Sequence, residues 1–202
     1  LRLYFNQVDA LISQLKISGA STLSLPNGAF HQDGYTTLIT TIPNPTSTAD
    51  IVVTSTDGFL SAGTLLVGTE FIKYTGKTTT TFTGITRSSY GSSGSSHFAG
   101  VYVSEAQAVP SSTSSLAIAF TVTDSSNGVS IDPLDNTKIV FAAAGNYNIQ
   151  FSVQLATYYG TIDDVTIWFA YNGDPVANSA GVITVPGTHG GKAGATIASW
   201  NI

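Results

Sequence analysis

Three histidines, one pair of adjacent aspartates and one glycine-rich loop are the features of this 202-residue chain best suited to catalysis or ligand binding. His31, His97 and His189 are the residue type that ligates metals and carries protons near neutrality. A metal needs ligands that converge, and each of these stands alone in a glycine-rich or polar stretch. They read as loop or surface histidines. Asp163-Asp164 offers two carboxylates, but acid–base work needs one on each side of a substrate. Neighbours on a strand point to opposite faces of a sheet. The pair therefore reads as a solvated strand entrance, with a calcium-binding loop as the lesser alternative. GTHGGKAGAT (187–196) has the glycines and lysine of a phosphate loop. It lacks the G-x-x-x-x-G-K-[ST] spacing, since Ala193 follows Lys192. Serine is abundant, but no G-x-S-x-G accompanies it. The reading assigns no catalytic residue, no cofactor and no metal, and so expects no enzyme.

The elements that carry these residues have an unusual composition. Hydrophobic residues make up 42% of the chain, enough for a core, while charged residues make up 9%. That is about a third of the usual charged share. Ser, Thr, Gly and Asn fill the difference, as on β proteins whose surface is partly covered by neighbours. The net charge is −5 and the 7 basic residues are scattered, which argues against nucleic acid as a partner. No apolar run approaches the length of a membrane span, so membrane insertion is not expected. The chain has no cysteine and hence no disulfide.

Five segments follow from the patterning, and together they read as mainly β. The first, 1–18, reads as a short helix. Leu1, Tyr4, Val8, Leu11 and Leu15 step by three and four, and Phe5 and Ile12 widen the stripe. A helix this short is marginal alone and needs a partner. It either caps the chain's own β domain or meets another chain, and in the second case these seven residues are the expected oligomer or anchor interface. Residues 19–47 read as an extended linker, with 36–42 as one strand ended by Pro43 and Pro45. Residues 48–105 read as a small β domain, barrel-like, with strands at 51–56, 64–67, 70–75, 78–86 and 101–105. AQAVPSSTSS (106–115) reads as a linker. Residues 116–202 carry about six longer strands and read as a partial jelly-roll β-sandwich. A hairpin is expected to turn near Gly145-Asn146, and Val165, Ile167, Phe169 and Tyr171 are expected on one face. The absence of Met and the apolar ending Trp200-Asn201-Ile202 lead to the expectation of a longer protein, with more sheet after Ile202.

Several stretches resemble known families. AAAGNYNIQFSVQLA (142–156) resembles the Gly-x-Tyr strand of the tumour-necrosis-factor/complement-globular-head superfamily. In that likeness Tyr147, Ile149, Phe151 and Val153 face the jelly-roll core. DVTIWFAYNGDPVANS (164–179) resembles the next hairpin and adds Val165, Ile167 and Phe169. With TVPGTHGGKAGATIASWN (184–201), it is similar to distal domains of structural proteins of tailed bacteriophages, particularly of marine and cyanobacterial hosts. GTEFIKYTGKTTTTFTGITRSSYGSSGSSHFAGVYV (68–103) looks like a small module of phage tail and virion proteins, marked by Lys73-Tyr74-Thr75-Gly76, Arg87 and His97. RLYFNQVDALISQL (2–15) resembles their N-terminal attachment segment. The resemblance implies a homotrimer located in the virion, as capsid decoration, head fibre, tail fibre or adaptor. Its N-terminus would hold other virion proteins, and its jelly roll would project towards the host surface, where a glycan is the expected contact. The competing reading is a secreted bacterial adhesin or carbohydrate-binding module.

Overall fold

A computed structural model of the chain describes residues 3–4, 26–108, 115–157, 162–186 and 191–201. Among the described residues the protein is β throughout, with antiparallel sheets and no helix. The expected mainly β class stands. The helix expected over 1–18 falls outside the described residues, except for Leu3–Tyr4, which are extended and paired as strand β1. Of the expected anchor residues, Leu1, Phe5, Val8, Leu11, Ile12 and Leu15 lie outside the described set, and Tyr4 lies in β1.

The chain divides into two compact units. Strands β1 and β2 (Asn27–His31) belong to the second. The first unit, Gln32–Val122, contains β3 (Tyr35–Thr37), β4 (Ile51–Val52), β5 (Gly63–Val67), β6 (Glu70–Tyr74), β7 (Gly76–Lys77), β8 (Thr81–Thr83), β9 (Thr86–Ser89) and β10 (Tyr102–Ala106). Its pairing closes on itself. β3 pairs with β10, β10 with β5, and β5 with β6. The chain runs from β6 through Thr75 into β7, which pairs with β8, and β8 pairs with β4. A bridge from Val53 to Leu38, just beyond β3, completes the circuit. Residues 27–42, read from the sequence as mostly linker, thus supply strand and core.

Alternation explains the filling of this circuit. In β5 and β6 the side chains of Leu65, Val67, Ile72 and Tyr74 point inwards and are at most 2% exposed. They meet Leu38, Ile42, Ile51, Val53, Phe59, Phe82, Ile85 and Val103 in one cluster. Phe82 sits in its midst, with ring centroids 4.9 Å from Phe59 and 4.7 Å from Tyr74. Burial of each such side chain stabilises the fold by about 1.5–3 kcal/mol. Past β10, the Gln107 side chain grips both backbone groups of Ala119 at 2.8 Å.

The second unit joins β1 and β2 to β11 (Val122–Asn127), β12 (Val129–Ile131), β13 (Ile139–Phe141), β14 (Asn148–Thr157), β15 (Asp163–Ile167), β16 (Ala170–Tyr171), β17 (Asp174–Pro175), β18 (Gly181–Val185) and β19 (Gly191–Asn201). One sheet has the order β11-β2-β1-β14-β19, and β12–β13, β15–β18 and β16–β17 form separate pairs. The hairpin expected near Gly145-Asn146 is corrected here. β13 pairs with β12, and β14 pairs with β1 and β19. The tight turn instead lies at 132–138, where Asp132 and Asp135 accept backbone N–H groups at 2.8 and 3.1 Å.

Of the expected jelly-roll core, Phe151 and Val153 are buried, and Tyr147, Ile149, Val165, Ile167 and Phe169 are half-buried. Tyr171 departs from the expected face and is 57% exposed. The reason is that β15 ends at Ile167, opposite Gly181. The chain then bends at Phe169, whose N–H bonds Ser179 Oγ, before the Asn172-Gly173 turn between β16 and β17.

Candidate functional site

Two buried glutamates, at opposite ends of the β5–β6 hairpin, dominate the polar chemistry of the first unit. Glu70 opens β6 opposite Val67, and Glu105 sits in β10 opposite Leu65 and reaches the far end of β6 at Tyr74. Each falls on the inward phase of its strand: Glu70, Ile72 and Tyr74 in one, Val103 and Glu105 in the other. A buried charge is costly unless paired and hydrogen-bonded, so the neighbours of each decide its state.

Glu70 is fully buried and ringed by donors. Arg87 clasps it with two hydrogen bonds of 2.7 Å, from Nε to Oε1 and from Nη2 to Oε2. Ser88 N–H adds 3.0 Å to Oε1, Ser95 N–H 3.1 Å to Oε2, and His97 Nε2 lies 2.7 Å from Oε2. Burial alone would raise this carboxyl. The bonds from Arg87, His97, Ser88 and Ser95 win and hold it down at about 2. Since Glu70 is then ionised and accepts only, His97 Nε2 carries a proton towards it. Arg87 is equally saturated. Nη1 donates to the carbonyls of Asn44 and Ser47, and Nη2 donates also to that of Ser95. One ion pair thereby fastens three segments, 44–47, 87–88 and 95–97, to the start of β6.

His97 corrects the sequence reading. It was expected on a surface loop but is 6% exposed, and its backbone pairs with Ile42. His31 also departs from it, as a half-buried β2 residue with Nδ1 2.8 Å from Asp124 Oδ2. His189 lies outside the described residues. Asp163 and Asp164 are exposed at the start of β15, where Asp164 accepts from Thr184 Oγ1 at 2.6 Å. Among the described residues, no group of three or more His, Cys, Asp or Glu is placed to hold a metal ion.

Glu105 occupies a different environment. It is 3% exposed, and its Oε2 lies 2.6 Å from the Tyr74 hydroxyl. Thr64 N–H points at Oε1 from 3.3 Å. Burial pushes the carboxyl up to about 7, although Tyr74, the Thr64 and Leu60 N–H groups and the Lys77 charge oppose the rise. Lys77 Nζ is itself held at 2.7 Å by the carbonyls of both Thr56 and Phe59. Two glycines make room: a Cβ on Gly63 would fall 2.2 Å from Glu105 Oε1, and one on Gly34 2.6 Å from Glu105 Cβ.

The outer face of the same unit carries aromatic rings. Tyr35 and Tyr102, 50% and 62% exposed, stack at 5.0 Å with 27° between their planes. Farther along, Phe71 meets Tyr90 edge-on at 6.1 Å, and Lys73 Nζ lies 4.6 Å from the centre of the Tyr90 ring.

Sequence reasoning missed both glutamates because it weighed only clusters close in sequence. The signal was present in the alternation, which puts a carboxylate among inward-facing apolar residues in EFIKY and in VYVSE. Compared with known proteins, the chain matches no family model, no curated protein and no solved structure.

Proposed function

We propose that this is a non-enzymatic structural protein of a tailed-phage virion, working as a homotrimer. Its N-terminal segment attaches it to other virion proteins. The first unit acts as a barrel-like spacer, and the second, a jelly roll, projects towards the host. The observation that carries the reading is the Glu70–Arg87 clasp with its five-donor ring. It fastens the long loops of a small, disulfide-free unit to its frame, as suits a rigid spacer. Glu70, Arg87 and His97 also fall within the stretch 68–103 that resembles a virion module. The low charge content and the antiparallel β construction of both units agree with a protein covered by its own copies.

The test is incorporation into particles of the phage that encodes the chain. Antibody labelling of purified virions should detect the protein, and Leu11→Asp should abolish the label while the purified variant keeps its β-sheet circular dichroism. Label-free wild-type virions, or normal incorporation of the variant, would overturn the attachment role. The second reading, an adhesin or carbohydrate-binding module, is favoured by the exposed Tyr35–Tyr102 stack, an apolar platform of the kind on which sugar rings pack. Secretion of the protein by a bacterial host with no virions present would favour it.

A further inference from the structure

We propose that Glu105 is held as the neutral acid in the folded first unit and serves as a proton-dependent latch, whose deprotonation releases the 54–62 loop from β6 and β10. The argument is a count of protons. Three oxygens stand in a row: the Leu60 carbonyl, the Tyr74 hydroxyl 2.9 Å from it, and Glu105 Oε2 2.6 Å beyond. Two such contacts need two protons, and the tyrosine hydroxyl has one. The carbonyl has none to give, so the second must come from Glu105. Its Oε2–H donates to Tyr74, and Tyr74 donates to Leu60. Oε1 remains an acceptor, which is how the Thr64 N–H addresses it. Every group is then satisfied.

Removing the proton leaves one hydroxyl hydrogen between two acceptors. Either the Leu60 carbonyl or Oε2 of the buried carboxylate then loses its bond to Tyr74, and a buried oxygen short of a donor is costly. Among the described residues, the titratable side chains acting on Glu105 are Tyr74 from β6 and Lys77 from β7. Burial, the Glu105 charge and their hydrogen bond all hold the Tyr74 phenol above its ordinary range, so it stays protonated throughout. Lys77 bonds the Thr56 and Phe59 carbonyls of the same loop, and its positive charge favours the ionised state. The Gly34 turn meets Glu105 through backbone, with Gly34 O accepting its N–H at 2.8 Å.

The sign is that of an acid raised on folding. Its contribution is complete below the ordinary carboxylate range and is lost as pH rises to about 7. Amide hydrogen exchange of Leu65 and Ile72 in the full chain reads the first unit directly, because Trp168 and Trp200 both lie in the second unit. Their protection factors should fall several-fold between about pH 5 and about pH 8. Glu105→Gln supplies an amide N–H in place of the acid proton, so it should fold and remove that fall. Carbon-13 NMR of the wild-type Glu105 carboxyl gives an independent reading and should show a midpoint near neutrality. A fall that persists unchanged in Glu105→Gln, or a wild-type carboxyl titrating in the ordinary carboxylate range, would overturn the latch.

Discussion

Arg87 and Glu70 meet fork to fork inside the first unit, through two hydrogen bonds of 2.7 Å between side chains 4% and 0% exposed. Such a pair adds little net stability over well-packed apolar residues, because both ions give up water. Breaking it is another matter. Glu70→Gln leaves the guanidinium buried with no counter-charge and should lower unfolding stability by about 3–5 kcal/mol. Urea titration of the purified chain measures this. The double variant Glu70→Leu, Arg87→Met should not recover the loss, because it leaves the Ser88 and Ser95 N–H groups, His97 and the Asn44, Ser47 and Ser95 carbonyls without these partners. A single variant as stable as the wild type would contradict the account.

The pair also predicts an acid limb. Folding depresses the Glu70 carboxyl to about 2, so its contribution is complete above its unfolded value of 4.5 and disappears as pH falls towards 2. At about 1.4 kcal/mol per unit, the loss amounts to a few kcal/mol. Glu105 has the opposite slope at higher pH, so the first unit should be most stable near about pH 5. Protection factors collected across the acid range should decline below that maximum. The decline should be weaker in Glu70→Gln.

Backbone geometry gives a paired test. Gly58 has φ +78°, and a Cβ there would fall 2.1 Å from the Asp33 carbonyl oxygen. Gly100 has a similar φ of +86° with open space around it. Alanine at either site incurs left-handed strain of about 1–2 kcal/mol. Gly58→Ala must in addition displace the Asp33–Gly34 turn, so it should destabilise the protein clearly more than Gly100→Ala does. Equal losses in urea would show that the turn yields freely.

Much of the frame was legible in the sequence. GTLLVGTEFIKY spells two short strands around Gly68, and β5 and β6 pair there. The start of β15 and the Asn172-Gly173 turn were legible for the same reason, local alternation followed by a local turn signal. What escaped was long-range. Arg87 and His97 are 17 and 27 residues from Glu70 along the chain; pairing of β9 with β6 brings Arg87 to it, and the bridge from His97 to Ile42 sets the histidine beside it. The partner of β13 was misread because the hydrophobic run on both sides of Gly145 mimics a hairpin, while the actual partner, β12, is only three residues long.

The claim on which the proposed function most depends is that the chain works as an assembled threefold unit. Light scattering of the purified 202-residue chain reads this without any label or partner. A mass of three times the 20.9 kDa chain, held on dilution, is the predicted result. A mass of one chain over the same range would contradict it.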